Sequence, residues 1–195
     1  VARAGYRRAP VERRQALIDA AERALALHGA GGVSVRTIAA EAGVSPGLVT
    51  HHFEGVEPLL AAAYRQVSER VGEALADAVE AAGPDPRARL TAYVCGNFLP
   101  PVMDADLLAT WLGLLSLTKS MPLVAIAHAE TYAAYRAEME RLLEDCRTPG
   151  DHRLEAVAIT ALIDGLWLEL CLDDSVFTPE EAIGIATRWL DARFD

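Results

Sequence analysis

Apolar residues recur every three or four positions along most of this chain, the period of a helix with one buried face. Between Pro10 and Leu27 the repeat is Leu17, Ile18, Ala21, Ala24 and Leu25, and Gly29 supplies a stop. Ser34 stands where it can cap a second helix over Val35–Ala42, and Gly43 allows the left-handed turn that ends many helices. Ser45 can cap a third, short helix ending near Phe53, with Pro46 at the first helical position, where no N–H is missed. A long helix over Glu57–Ala82 follows from Leu59, Leu60, Tyr64, Val67, Val71, Leu75 and Val79, and Gly83-Pro84-Asp85-Pro86 breaks it. The same reasoning predicts helices over Arg87–Leu99, Ala105–Ser120, Pro122–Cys146, His152–Leu172 and Pro179–Phe194. Pro100-Pro101, Met121-Pro122, Thr148-Pro149-Gly150 and Asp173-Asp174 separate them. The expectation is an all-α protein of about nine helices, with no convincing strand and no internal repeat.

Composition supports a packed core. The chain has 195 residues, 52% of them apolar, which argues against disorder. Net charge is -10, which by itself argues against a general nucleic-acid binder. Its distribution changes that picture. Residues 1–53 hold seven arginines (Arg3, Arg7, Arg8, Arg13, Arg14, Arg23, Arg36) against four acids, a local +3. The remainder carries eleven Lys/Arg and twenty-four acids. A basic head on an acidic body suggests polyanion binding confined to the head.

Three cysteines, Cys95, Cys146 and Cys171, have no C-x-x-C spacing, so neither a disulfide framework nor a metal site is expected, and no cofactor is implied. The N-terminus is basic but no apolar run follows it, so no signal peptide is expected. The longest apolar stretch, Leu107–Leu117, is about half of what a membrane span needs. These features predict a cytoplasmic protein.

The segment Val33–Phe53 carries the most chemistry. Ala39 is small where two helices must approach, Gly43 makes the turn, and Ile38, Val44 and Val49 form a miniature core. Pro46, Gly47, Leu48, Thr50, His51 and His52 then lie on or near the exposed side of the third helix. Gly47 lets the backbone come close to phosphates, and Thr50 and the histidines can donate to phosphate oxygens or base edges. An ordinary helical hairpin is the alternative.

The pattern Arg36-Thr-Ile-Ala-x-x-Ala42-Gly-Val-Ser-x-Gly47-x-x-x-x-His52-Phe53, followed by Leu59-Leu60, resembles the signature of the TetR family of bacterial repressors over residues 10–65. The resemblance implies an all-helical homodimer. Three N-terminal helices bind DNA, and a larger C-terminal domain binds an inducer and dimerises. The division expected is 1–54 for the helix-turn-helix head and 55–195 for ligand binding and dimerisation. Arg36, Thr37 and Ser45 join the candidate DNA contacts on this basis. Two positions depart from the family. Thr50 replaces a usual aromatic residue, and Val56 stands where the segment F-x-x-K-E-x-L has a lysine phosphate clamp. The arm residues Arg3, Arg7 and Arg8 can compensate by reaching phosphates or the minor groove, a solvated tail being the other reading.

Further on, Asn97-Phe98, Trp111-Leu112, Ser120-Met121 and Ala161–Leu168 resemble the branch that contains the choline-responsive repressor BetI. That branch implies a small amine or quaternary ammonium as inducer. Aromatic faces plus a carboxylate hold such a cation, because it offers charge without a hydrogen-bond donor. The candidates are Tyr93, Asn97, Trp111, Tyr132, Asp164 and Trp167, with His128 and Glu130 as further possibilities. Asp164 inside an apolar helix needs a partner, which is either a bound cation or an arginine, lysine or backbone donor of the chain itself. Most of the aromatics could equally be core.

The acids Glu155, Asp164 and Glu169 do not share one face of Leu154–Leu172, so that helix should be covered on more than one side. Gly165 would permit a twin helix to approach, and Ala182, Ile185, Ala186 and Trp189 add a second apolar strip. Together with Leu162, Leu166 and Glu169 they predict a four-helix dimer interface, against use of both helices in a monomer's core. The pairs Arg136–Glu140 and Arg141–Asp145 have the spacing of a solvated helix face.

Two other functions compete with a ligand-released repressor of near-palindromic DNA. An all-helical enzyme could use His128 or His152 with a carboxylate, but there is no Ser/His/Asp set, phosphate loop or H-x-x-x-H pair. A regulator working through protein contacts alone is the third.

Overall fold

The structure, a computed structural model, describes residues 10–147 and 150–194. Arg3, Arg7 and Arg8 lie outside them. Among the described residues there are nine α-helices and no strand. They are α1 (Pro10–Gly32), α2 (Val35–Glu41), α3 (Pro46–Phe53), α4 (Val56–Ala81), α5 (Pro86–Cys95), α6 (Ala105–Leu117), α7 (Pro122–Asp145), α8 (His152–Leu172) and α9 (Pro179–Phe194). No single helix among them is long and apolar enough to cross a membrane.

Local signals account for most boundaries. Gly29 leaves helical geometry at φ 61°, ψ -178°, but helical bonding resumes beyond it to Gly32, so α1 kinks rather than stops. Ser34 caps α2 reciprocally with Thr37. The Ser34 Oγ accepts from the Thr37 N–H, and the Thr37 hydroxyl accepts from the Ser34 N–H. Ser45 occupies the corresponding position before α3 but makes no side-chain cap bond, contrary to expectation. Asp85 and Asp151 cap α5 and α8 by accepting from the N–H groups of Ala88 and Leu154. Thr178 and Glu181 exchange bonds at the start of α9. Tertiary packing overrides the pattern at the end of α5. The predicted helix to Leu99 ends at Cys95 and tightens into a 3-10 turn, Gly96–Phe98. A Cβ on Gly96 would lie 2.9 Å from the Leu75 side chain, so α4 and this turn pack closely there and a larger residue would have to push that side chain aside.

The chain packs as two compact units, one of Val1–Gln66 with Ala109–His128, the other of Val67–Leu108 with Ala129–Asp195. This division by packing cuts through α4, α6 and α7, and is a different partition from the functional one expected after residue 54. In the first unit, α1 packs on α2 and α2 on α3. Leu17, Ile18, Ala21, Leu25, Ile38, Ala39, Val49 and Phe53 are buried there, as are Leu59, Leu60 and Tyr64 of α4. In the second unit, Leu75, Val79, Leu90, Val94, Phe98, Met139, Leu142, Ile159, Ile163 and Leu190 form the core. Burial on this scale, at roughly 25 cal/mol per Å² of apolar surface, is what holds each unit together.

Candidate functional site

The turn between α2 and α3 sets the direction of α3. Gly43 sits at φ 66°, in the left-handed region. That lets the N–H of Val44 reach the carbonyl of Ala39 at 2.9 Å and its own N–H reach Ala40 at 3.1 Å, closing the end of α2. Ala39 and Val49 are buried on the inner side of the pair. The opposite side is then open. Arg36, Ser45, Pro46, Gly47, Thr50 and His51 are exposed, and Thr37, Leu48 and His52 are half-buried.

Several of these side chains already have tasks. The Thr37 hydroxyl is engaged in the α2 cap. Thr50 donates to the Pro46 carbonyl at 3.3 Å. His51 and His52 meet edge to face at 5.2 Å. His52 has its Nε2 buried without a hydrogen-bond partner. Burial first, then the charges of His51, Arg13 and Arg14, lowers its pKa, so it is a neutral donor rather than a phosphate-binding cation at neutral pH. The Arg14 guanidinium lies 4.6 Å from the centre of the Phe53 ring at the end of α3. Arg23 pairs with Glu41. The sequence marked Arg13 and Arg14 only as part of a basic head, because nothing along α1 tells which of its faces meets α3.

Gly47 stands apart. Its φ is not positive, and a Cβ built there would meet only the Ser45 Oγ, at 4.0 Å. Neither backbone conformation nor packing within the chain demands glycine. With Ser45 making no cap bond, the N–H of Gly47 opens the helix N-terminus to an anion. The position where the resemblance expects a lysine is Val56, the first residue of α4. The next residue, Glu57, is half-buried and accepts from the N–H of Leu123 at 2.7 Å, capping α7.

The predicted ligand residues divide between the units. Trp111 is in the first, 5.3 Å from the ring of Tyr64, whose hydroxyl meets His128 Nδ1 at 2.8 Å. Tyr93, Asn97, Tyr132, Asp164 and Trp167 belong to the second. There, Trp167 Nε1–H donates to the Asn97 carbonyl at 2.8 Å, and the Asn97 amide donates to the carbonyls of Tyr93 and Val94. Tyr93 donates to the Tyr135 carbonyl at 3.2 Å. Tyr132 donates to Asp164 at 3.1 Å. Asp164 is an exposed residue, yet partial desolvation pushes its carboxyl up, and the Tyr132 bond and the charge of Arg136 partly oppose this. Arg136 lies over the Tyr132 ring at 5.7 Å, and the expected pair with Glu140 is not made. Arg141 does pair with Asp145, at 2.7 Å, and also with Glu138. The residue that sequence reasoning missed is Tyr135, whose ring lies 5.3 Å from Tyr93 and 6.4 Å from Tyr132. Its three-residue spacing from Tyr132 was the available signal.

The predicted interface residues also divide. Ala182 and Ala186 are fully buried in the second unit's own core, where α9 packs on α5 and α8, so they do not face outward. Leu162, Leu166, Ile185 and Trp189 are half-buried, and Gly165 and Glu169 are exposed. A longer apolar stripe runs along α8: Leu154, Val157, Ala158, Ala161, Gly165, Leu168 and Leu172 are all exposed. Their three- and four-residue spacing is legible in the sequence. Which of the two apolar faces turns inward is not.

The head geometry is that of a helix-turn-helix DNA-binding protein, and comparison with known proteins agrees. Residues 17–70 match the model of bacterial regulatory proteins of the tetR family. Residues 86–195 match the C-terminal domain of BetI-type transcriptional repressors. The chain belongs to the TetR family, and within it to the BetI type. It is 34% identical over 183 residues to the HTH-type transcriptional regulator BetI of Burkholderia thailandensis, covering 92% of each chain. It is 33% identical to that of Serratia proteamaculans, covering 91% and 90%. Among solved structures, a transcriptional regulator of Pseudomonas aeruginosa PAO1 is similar with a TM-score of 0.87 and 36% identity, over 97% of this chain and 94% of that one. A regulator of Saccharomonospora viridis solved in complex with choline shares the fold at TM-score 0.81 and 19% identity, over 93% and 96%. These relatives are transcriptional regulators, not enzymes.

Proposed function

We propose that this regulator is a repressor that binds a near-palindromic operator as a homodimer and leaves it when a small cationic inducer binds the second unit. The observation that carries the DNA reading is Gly47. It is a helix residue that the fold does not require, on the exposed side of α3, beside an uncapped helix N-terminus. A close backbone approach to phosphate explains it. Arg36, Pro46, Leu48, Thr50 and His51 surround it as candidate contacts, with Thr37 and His52 in supporting positions. Two such heads, one from each protomer, would read successive major grooves about one DNA turn apart or somewhat more. The exposed α8 stripe around Gly165 supports self-association through Leu162, Leu166, Glu169, Ile185 and Trp189, extended by Leu154, Val157, Leu168 and Leu172.

The ligand reading rests on Asp164, a carboxylate that no ion pair of the described residues neutralises, set beside Tyr132 with Tyr93, Asn97 and Trp167 in the same unit. An amine or quaternary ammonium would pair with it directly, and the choline held by the Saccharomonospora viridis regulator makes choline-like cations the first class to try. Helix α4, which begins in the head and continues into the second unit, would transmit the change. By linkage, operator DNA then weakens inducer binding by the factor by which inducer weakens DNA binding. The protein acts in the cytoplasm, at the nucleoid while bound to DNA.

Gly47→Glu tests the DNA reading. It should abolish operator binding in a gel shift while leaving the dimer intact, and unchanged affinity would sink the assignment. Saturable, ligand-dependent melting shifts separate this function from regulation through protein contacts alone.

A further inference from the structure

Resting on the reading of α3 as the helix that enters the groove, we propose that Arg14 of α1 is a DNA-backbone contact, its guanidinium held at the end of α3 by the Phe53 ring and offered there to a phosphate. Arg14 is exposed, and its guanidinium lies 4.6 Å from the centre of that ring. Neither Glu54, which follows Phe53, nor any other carboxylate of the described residues pairs with it. Arg23, further along α1, differs, because Glu41 takes its charge at 2.8 Å. A ring contact engages the cation but leaves most of its five N–H donors open. A guanidinium fixed on an aromatic face has also given up much of its rotamer freedom before a phosphate arrives.

The placement suits a phosphate contact. Phe53 is the last residue of α3 and is buried, so Arg14 covers it from the solvent side. His52 senses the positive charges of His51, Arg13 and Arg14, so four basic side chains gather at this end of the helix. Burial holds His52 below its usual pKa, and permanent charge there comes from the arginines. Val56, at the start of α4, offers no cation at this end, so Arg14 supplies one from another helix. Gly47 lies towards the other end of α3, a separation along the helix of about 9 Å. The major groove is about 12 Å wide. Contacts to the DNA backbone fix register, and one at each end of α3 holds the helix between the two strands that border the groove.

The test measures DNA binding of the wild-type protein, Arg14→Met and Arg14→Lys by fluorescence anisotropy between about 50 and 200 mM KCl. The probes are a duplex that the wild type selects from a random pool and an unrelated duplex of the same length. Methionine still covers Phe53 but carries no charge, and lysine keeps the charge. Arg14→Met should bind both duplexes about tenfold or more weakly at the lowest salt, and reduce the slope of log affinity against log salt by about 0.9 for each head bound. Its melting temperature should stay within about 2 °C of the wild type, as for an ordinary surface substitution. Arg14→Lys should keep the wild-type slope, and a slope as low as that of Arg14→Met would overturn the inference. An unchanged slope for Arg14→Met would overturn it whatever happens to affinity or melting, because the guanidinium then serves only the packing of Phe53. A loss confined to the selected duplex would overturn it too, since that marks a base contact. If the wild type selects no duplex from the pool, the DNA-binding reading of α3 fails and this inference with it.

Discussion

Replacing Gly47 with alanine should make the protein more stable and a poorer DNA binder, and few positions in the head offer that opposition. The stability half follows from the backbone. Gly47 has no positive φ, and the added Cβ meets only the Ser45 Oγ at 4.0 Å, so there is neither strain nor clash. Glycine in a helix interior costs about 0.5–1 kcal/mol relative to alanine, through the freedom it has in the unfolded chain. At the second position of α3 about half of that is expected, roughly 0.5 kcal/mol. For a chain of this length that amounts to about 1–2 °C in melting temperature. The binding half follows from distance. A methyl group on the outer face of α3 keeps the backbone N–H from a phosphate, and losing one charge-assisted hydrogen bond costs about 1.5–3 kcal/mol. At least a tenfold weaker operator affinity is therefore expected, measured by fluorescence anisotropy at fixed salt because the phosphate contribution is salt-dependent. A variant that melts higher but binds DNA unchanged would refute the reading of Gly47 as an approach point. A variant that melts lower would refute the open space around it.

Three other outcomes test neighbouring parts of the argument. Gly43→Ala meets no atom within 4 Å but forces alanine to φ 66°, so it should cost about 1–2 kcal/mol of stability by chemical denaturation, with Gly43→Asn recovering part of it. Leu168, 45% exposed within one chain, should tolerate Leu168→Glu with little change in protomer fold by circular dichroism, while sedimentation shows monomers; a persistent dimer would move the interface elsewhere. His52 has a folded pKa below 6.5, so as pH falls through 6.5 the unfolded chain takes up a proton that the folded one refuses. Stability should accordingly drop from pH 7 towards the lowered folded value and then level off, and His52→Gln should flatten the melting-temperature profile over that window.

What the sequence alone determined is local. The bounds of α8 and α9 are those its pattern predicts, because Asp151, Thr178 and Glu181 meet the open N–H groups of neighbours one turn away. The turn at Gly43 was equally legible, since few residues other than glycine adopt its φ. The likeness to DNA-binding regulators rested on the same short segment. Where the outcome depended on residues distant in the chain, the pattern fell silent or misled. Periodicity carried α5 on to Leu99, but the helix ends at Cys95 and Gly96–Phe98, close against Leu75, winds more tightly. Ser45 had the right type and place for a cap and forms no bond. Ala182 and Ala186 were expected to meet a partner, yet α9 turns them into the core of its own unit, while Leu168 of α8, which the pattern did not single out for the interface, is left outside. Tyr135 was one more tyrosine until its ring was seen against Tyr93 and Tyr132 with its hydroxyl buried. Side-chain type and spacing record which bonds a residue can make with its near neighbours. Which face is buried, and which polar atom is left without a partner, depends on the simultaneous packing of helices that no short stretch of sequence contains.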